Sequence, residues 1–223
     1  YIQTEAADEY KDVQTLALQV HGPGMFHTKD KQIKHPDDLK GMKFRGSTRQ
    51  VTKLLGYLGA TPVGMPLPQI PDALSKGVID GCAIPWEVVP SVKVQELTRF
   101  HSEFDPAGGA LYTTTFIMAM NKAKYASLPP DLKKIIDANS GLATSAFLGK
   151  VQQAGDGPGR QSALDRKNTI YTISQADAQE FRRKSRQVEV EWVQDMDKRG
   201  FNGRALLDKA RALIDKHTKT TKA

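Results

Sequence analysis

Residues 36–87 read PDDLKGMKFRGSTRQVTKLLGYLGATPVGMPLPQIPDALSKGVIDGCAIPWE. Short apolar segments alternate here with helical patterns. The opening PDDLK is a short helical turn that stops at Gly41. Met42-Lys43-Phe44-Arg45 reads as a strand ended by Gly46. Ser47 or Thr48 can cap a helix to about Leu58, with Val51, Leu54, Leu55 and Leu58 on one face. Residues 61–65 form a second extended piece. Residues 68–76 make a helix on Ile70, Ala73 and Leu74, closed by Gly77. Residues 78–84 return to a strand. This βαβαβ rhythm predicts a mostly parallel sheet buried on both faces.

Upstream, residues 13–20 (VQTLALQV) read as a strand ending at His21, followed by the turn Gly22-Pro23-Gly24. Downstream, residues 99–104 and 111–120 are strand signals separated by Pro106-Ala107-Gly108-Gly109. Pro129-Pro130-Asp131 opens a long helix with the stripe Leu132, Ile135, Ile136, Leu142, Ala143, Ala146, Phe147 and Val151. Gly155-Asp156-Gly157-Pro158-Gly159 is expected to break it. Residues 169–173 are a strand, and Ser174 caps a helix over 175–199. Another helix covers 203–217, so a helical back half follows the β/α front.

The 223 residues carry 39 % apolar and 26 % charged side chains, an ordinary globular balance that excludes disorder. The longest strictly apolar run, Phe116–Met120, is too short to cross a bilayer. Residues 1–12 are acidic and are not a secretion signal. The net charge of +7 is concentrated in residues 181–223, which hold twelve Lys or Arg against six Asp or Glu. Interleaved acids and the lack of alternating aromatic rings point to a solvated helix face and a frayed tail rather than a nucleic-acid surface. A single cysteine, Cys82, excludes an intramolecular disulfide and a cysteine-based metal cage, and its apolar strand marks an inert thiol.

Catalytic signatures are missing. No HExxH, GxSxG or phosphate-loop pattern occurs, and GDGPG lacks the dinucleotide spacing. The histidines, His21, His27, His35, His101 and His217, read as turn or surface residues rather than metal ligands. Binding chemistry is better represented. Arg45 ends a strand before a helix N-terminus, where ligands of parallel α/β sheets sit and a guanidinium can grip a carboxylate with two bonds. The ordinary alternative is a surface salt-bridge residue. Trp86, at another strand end, is either a pocket wall or a half-buried core ring.

The stretch quoted above resembles the solute-binding proteins of TRAP transporters, the DctP-like family. The pattern is a DLKG turn, a strand ending in Arg, a helix, LGA-x-P, Met-Pro, a helix ending AL-x-x-G, and V-x-DG. The segment MNKAKYASLPPDLKKIID also matches that family, so the likeness covers nearly the whole chain. It implies a two-lobed, type II-like periplasmic-binding-protein α/β fold with a long bridging helix and a helical C-terminal part. Residues 1–17 would be a remnant of the first lobe, and 18–108 the second lobe with the anchoring Arg. Residues 109–150 would return to the first lobe and start the bridging helix, and 151–223 would close the second lobe.

The resemblance further implies a periplasmic, non-catalytic receptor that passes a carboxylate-containing solute to TRAP membrane permease subunits. It would be neither membrane-spanning nor nucleic-acid-binding, and no cofactor or metal is expected. Arg45 would anchor the carboxylate, with Thr48, Leu67 and Ile84 at ligand-side positions. Met65, Trp86, His21 and Tyr112 complete the candidate set, and Asp80-Gly81 reads as a structural turn. Sugar-acid binders place polar or aromatic groups where this chain has Ile84 and Leu67, and a second basic residue near its His21–His27 segment. The losses of polarity favour a hydrophobic acid, aromatic or branched. Family members begin with a signal and a βαβ segment ahead of this chain's first residue. The expectation is therefore a poorly stable piece of a longer protein, with exposed partners on strand 111–120 and on the helix after Pro130. The competing readings are an α/β enzyme acting on an organic acid and a basic interaction module in residues 181–223.

Overall fold

A computed structural model describes residues 1–106 and 109–220. Ala107 and Gly108 of the predicted connection, and the last three residues of the basic tail, lie outside them. The strands are β1 (Val13–Val20), β2 (Met25–Thr28), β3 (Lys43–Gly46), β4 (Thr61–Gly64), β5 (Gly81–Ile84), β6 (Phe100–Phe104), β7 (Thr115–Asn121) and β8 (Thr169–Ile173). The helices are α1 (Ile2–Glu5), α2 (Arg49–Tyr57), α3 (Ile70–Ser75), α4 (Val94–Leu97), α5 (Lys122–Ala126), α6 (Pro130–Ala138), α7 (Leu142–Asp165), α8 (Gln175–Lys198) and α9 (Gly203–Thr220). The fold is two-lobed α/β. One sheet has the order β4-β3-β5-β2-β6-β8, and a smaller antiparallel pair joins β1 to β7.

The mostly parallel sheet is as predicted, with one addition. β2 runs antiparallel to both neighbours, β5 and β6, and carries the middle of the sheet. No element is expected at Met25–Thr28, because four residues between a glycine-rich turn and the polar run from Lys29 are too short to show a period. The predicted strand over 111–120 is strand only at Thr115–Asn121, while the predicted caps act as read. Thr48 caps α2, its hydroxyl oxygen accepting from the Val51 N–H at 3.2 Å. Ser174 caps α8 in the same way. Asp80 accepts from the Lys43 N–H at 2.7 Å and so ties the entry of β5 to β3.

Strand alternation sends successive side chains to opposite faces. Phe26, Phe44 and Ala83 face α2 and α8, where Leu55, Leu58 and Phe181 close one core. Met25, Cys82 and Ile84 face the other way, against Ile70, Leu74, Trp86, Val94 and Ala163. Both faces are covered, which is why β5 is apolar throughout. The first core centres on edge-on aromatic packing, with Phe26 and Phe44 ring centroids 5.6 Å apart.

The long helix differs from its predicted bounds. The stripe after Pro130 divides at Gly141, whose φ of +84° is left-handed, into α6 and α7. GDGPG does not break α7 but lies inside it. Gly159 meets the 86–87 backbone so closely that a Cβ there would stand 2.0 Å from the Trp86 carbonyl oxygen. Gly155 and Gly159 serve close approach, and Pro158 lies on the exposed side. Much of the stripe is exposed, including Leu132, Ile135, Leu142, Phe147 and Val151, as are Phe116, Ile117 and Met118 of β7.

The α7 contact also joins two half-buried carboxyls. Asp156 accepts from the Glu87 N–H at 3.2 Å. Burial, then repulsion from Asp156, pushes the Glu87 carboxyl up to about 7. The folded protein thus holds this proton more tightly than the unfolded chain. The stability that Glu87 contributes is full below its ordinary value of 4.5 and is lost as pH rises toward about 7.

Two substitutions test this packing. Gly159→Ala should lower stability by roughly 1–3 kcal/mol through overpacking. Gly157→Ala, with nothing within 4 Å of the added carbon, should be neutral or slightly stabilising; urea unfolding reads both. Glu87→Gln should raise the urea midpoint at about pH 8 and converge with the parent near pH 4.

Candidate functional site: a buried arginine at a strand end

Arg45 stands at the carboxyl end of β3, only 5 % exposed, which excludes the surface salt-bridge alternative. Its Nε donates to the Met65 carbonyl at 3.1 Å, and its Nη1 to the Ala83 carbonyl at 3.5 Å. Among the described residues no carboxylate pairs with it. Burial pushes its pKa down from the ordinary value, yet a guanidinium stays charged in proteins. A charge taken from water without a counter-ion costs several kcal/mol, which an incoming anion would offset.

Tyr112 shares the Ala83 carbonyl, donating its hydroxyl at 2.9 Å. Burial pushes that hydroxyl up to about 12, so it remains protonated. Gly24 allows the ring in, since a Cβ there would stand 2.2 Å from it. His21 packs edge-on to Tyr112 with centroids 5.3 Å apart. Its Nδ1 donates to the Gly22 carbonyl, and its Nε2 accepts from the Thr114 N–H at 3.1 Å. Both nitrogens are therefore used within the protein.

The remaining candidates divide. Met65 and Leu67 are half-buried and pack on the core that contains Ile84 and Trp86. Ile84 follows Ala83 and is 1 % exposed. Trp86, 3 % exposed, is a core ring whose Nε1–H donates to Glu103 at 3.0 Å. Arg160 of α7 holds the same carboxylate with two bonds, at 2.9 and 3.0 Å. Thr48 and Tyr112 line an open groove of about 760 Å³ between α2, α8 and α9. Arg45, Met65, Leu67, Ile84, Trp86 and His21 are not on that groove's wall.

His27 and His101 correct the sequence reading. Neither is a turn or surface residue, for both are fully buried and opposite each other on β2 and β6. Their placement, and the Glu103–Arg160 pair, could not be read from the sequence. The one available signal, a His directly after a Phe in two short strand segments, gains meaning only once β2 pairs with β6. Cys82 is inert as expected, its thiol pushed up to about 12 by burial. Among the described residues no group of three or more His, Cys, Asp or Glu could hold a metal. No helix among them is long and apolar enough to cross a membrane.

Comparison with known proteins gives this geometry a context. A TRAP solute-binding protein from Rhodoferax ferrireducens T118, solved with copurified benzoate, is 74 % identical with a TM-score of 0.97. The match covers 99 % of this chain and 69 % of that one. A marine-metagenome TRAP solute-binding protein specific for aromatic acids, solved with 3-hydroxybenzoate, is 46 % identical with a TM-score of 0.92, over 97 % of this chain and 67 % of that one. The 2,3-diketo-L-gulonate-binding periplasmic protein YiaO of Escherichia coli K12 is 26 % identical over 199 residues, 89 % of this chain. The chain spans about half, 52 %, of that relative's length. The family model of bacterial extracellular solute-binding proteins, family 7 (DctP), matches residues 3–195. With that match over most of its length, the chain belongs to family 7 of the bacterial extracellular solute-binding proteins.

Proposed function

We propose that this protein is a periplasmic receptor that binds an aromatic monocarboxylate and delivers it to a TRAP-type membrane permease, without catalysing a reaction. The observation that carries this reading is the buried Arg45 guanidinium, held by two backbone carbonyls and paired with no carboxylate among the described residues. The ligand carboxylate supplies the missing charge. Thr48 adds a hydroxyl at the first turn of α2, whose free N–H groups and dipole favour an anion. The apolar side chains of Met65, Leu67 and Ile84 suit a ring better than a polyhydroxylated chain. The ligands named for the two solved relatives above, benzoate and 3-hydroxybenzoate, support the same class. In this reading residues 18–108 anchor the ligand, residues 1–17 and 109–150 belong to the facing lobe, and residues 151–223 brace the anchoring lobe.

Isothermal titration with benzoate, 3-hydroxybenzoate, glucuronate and malonate tests the reading. The aromatic acids should bind and the sugar acid should not. Arg45→Ala should weaken binding by about 30- to 4000-fold, the roughly 2–5 kcal/mol expected when one partner of a buried charge pair is removed. Arg183→Ala, on the exposed side of α8 and paired with Glu180, should bind as the parent does. Glucuronate binding in place of aromatic acids, or unchanged affinity in Arg45→Ala, would overturn the proposal.

A further inference from the structure

His27 and His101 serve neither the apolar core nor the arginine directly, yet they occupy the middle of the sheet. Their Nδ1 atoms lie 2.7 Å apart, so one donates and the other accepts. The outer ends decide which. The Asn168 side-chain amide donates to the Gln95 carbonyl at 2.8 Å and to Nε2 of His101 at 3.0 Å. His101 therefore accepts on Nε2, carries its proton on Nδ1 and donates to His27. His27 in turn carries its proton on Nε2 and donates to the Ile84 carbonyl at 3.1 Å. The bonds run one way, from Asn168 through both rings to β5, and use each ring nitrogen once with both rings neutral.

That chain ends beside the arginine. Consecutive carbonyls of a strand point to opposite edges. The Ala83 carbonyl takes Arg45 and Tyr112 on the β3 side, and the Ile84 carbonyl takes His27 on the β2 side. We propose that His27, His101 and Asn168 are positioning residues of the ligand site, fixing the carboxyl end of β5 so that Arg45 is presented to a carboxylate. The inference rests on the receptor reading above and adds the element that sets the geometry of its anchor.

The surroundings keep the chain neutral. Burial pushes both histidines down, His101 to about 4. Glu103 of β6 acts on His27 from a distance, but Arg160 of α7 and the Trp86 N–H hold it. Cys82 stands opposite His27 on β5 with a protonated thiol. Ile170 of β8 lies opposite His101, and α4 meets the chain through the backbone carbonyl of Gln95. The Lys29 ammonium, just beyond β2, donates to the Leu74 carbonyl.

Asn168→Asp tests the chain with little change in shape. The introduced carboxylate can only accept, so it demands a proton on Nε2 of His101. At lower pH a doubly protonated His101 satisfies it and still donates to His27. At higher pH the single remaining proton stays on Nε2. His27 must then move its proton to Nδ1, and the Ile84 carbonyl loses the His27 donor. Benzoate affinity, measured by isothermal titration from about pH 6 to about 9, should be flat in the parent and fall about tenfold with rising pH in the variant. Imidazole 15N shifts should show Nδ1–H on His101 and Nε2–H on His27 in the parent, and the reverse in the variant at high pH. Parent rings with other tautomers would overturn the chain without any substitution. A parent that binds benzoate, with a variant that matches it at every pH, would overturn the positioning role alone. A parent that binds no aromatic acid would overturn the receptor reading and this inference with it.

Discussion

The end of β5 has no room to move, and the site follows from that. Gly81 opens the strand where any Cβ would stand 2.6 Å from the Phe44 ring and 2.7 Å from the His27 carbonyl oxygen. Cys82, Ala83 and Ile84 are buried, and their faces belong to two separate cores. Both edges of the strand are also taken, by β3 and by β2. An arginine that bonds to a carbonyl of this strand is thereby registered to the whole sheet. Its charge is held in a fixed place at the expense of solvation, the condition under which a counter-ion contributes most.

The same rigidity extends outward through α7. Gly155, Gly159 and Ala163 give the helix a nearly side-chain-free face toward residues 86–88, so backbone meets backbone there. The approach seats Trp86 against both buried histidines, at 5.1 Å from each ring. Arg160, on the same helix, completes the Glu103 carboxylate that receives the indole N–H. One helix face therefore braces the strand end through packing, a charge pair and an aromatic contact together.

Much of this order was legible in the sequence, for identifiable reasons. Helix caps and glycine stops are local, so Thr48, Ser174 and Gly77 could be read in place. Arg45 was legible as a strand-end residue because apolar periodicity placed the strand, but that no carboxylate among the described residues pairs with it is a property of the folded chain. GDGPG misleads because its composition breaks a helix in isolation, whereas here Gly155 and Gly159 are needed for contact with a partner that is distant in sequence. The histidine pair is separated by 74 residues, and no local pattern joins them. The basic back half behaves as its interleaved acids suggest. Arg183 pairs with Glu180 within α8, while Arg211 with Glu189, and Lys184 with Asp37 at 2.7 Å, link α8 to α9 and to the turn at residues 36–39.

The lone cysteine has a consequence beyond its inertness. Cys82 sits on the central strand with none of its surface in water, and the chain contains no other thiol. A thiol reagent can reach it only when the layer that covers its face of β5 parts from the strand. The rate of its chemical labelling is thus a clock for the deepest opening motion of the molecule, blind to fraying of the helical tail. The protein carries, at the strand that frames its arginine, a reporter of how often that frame comes apart.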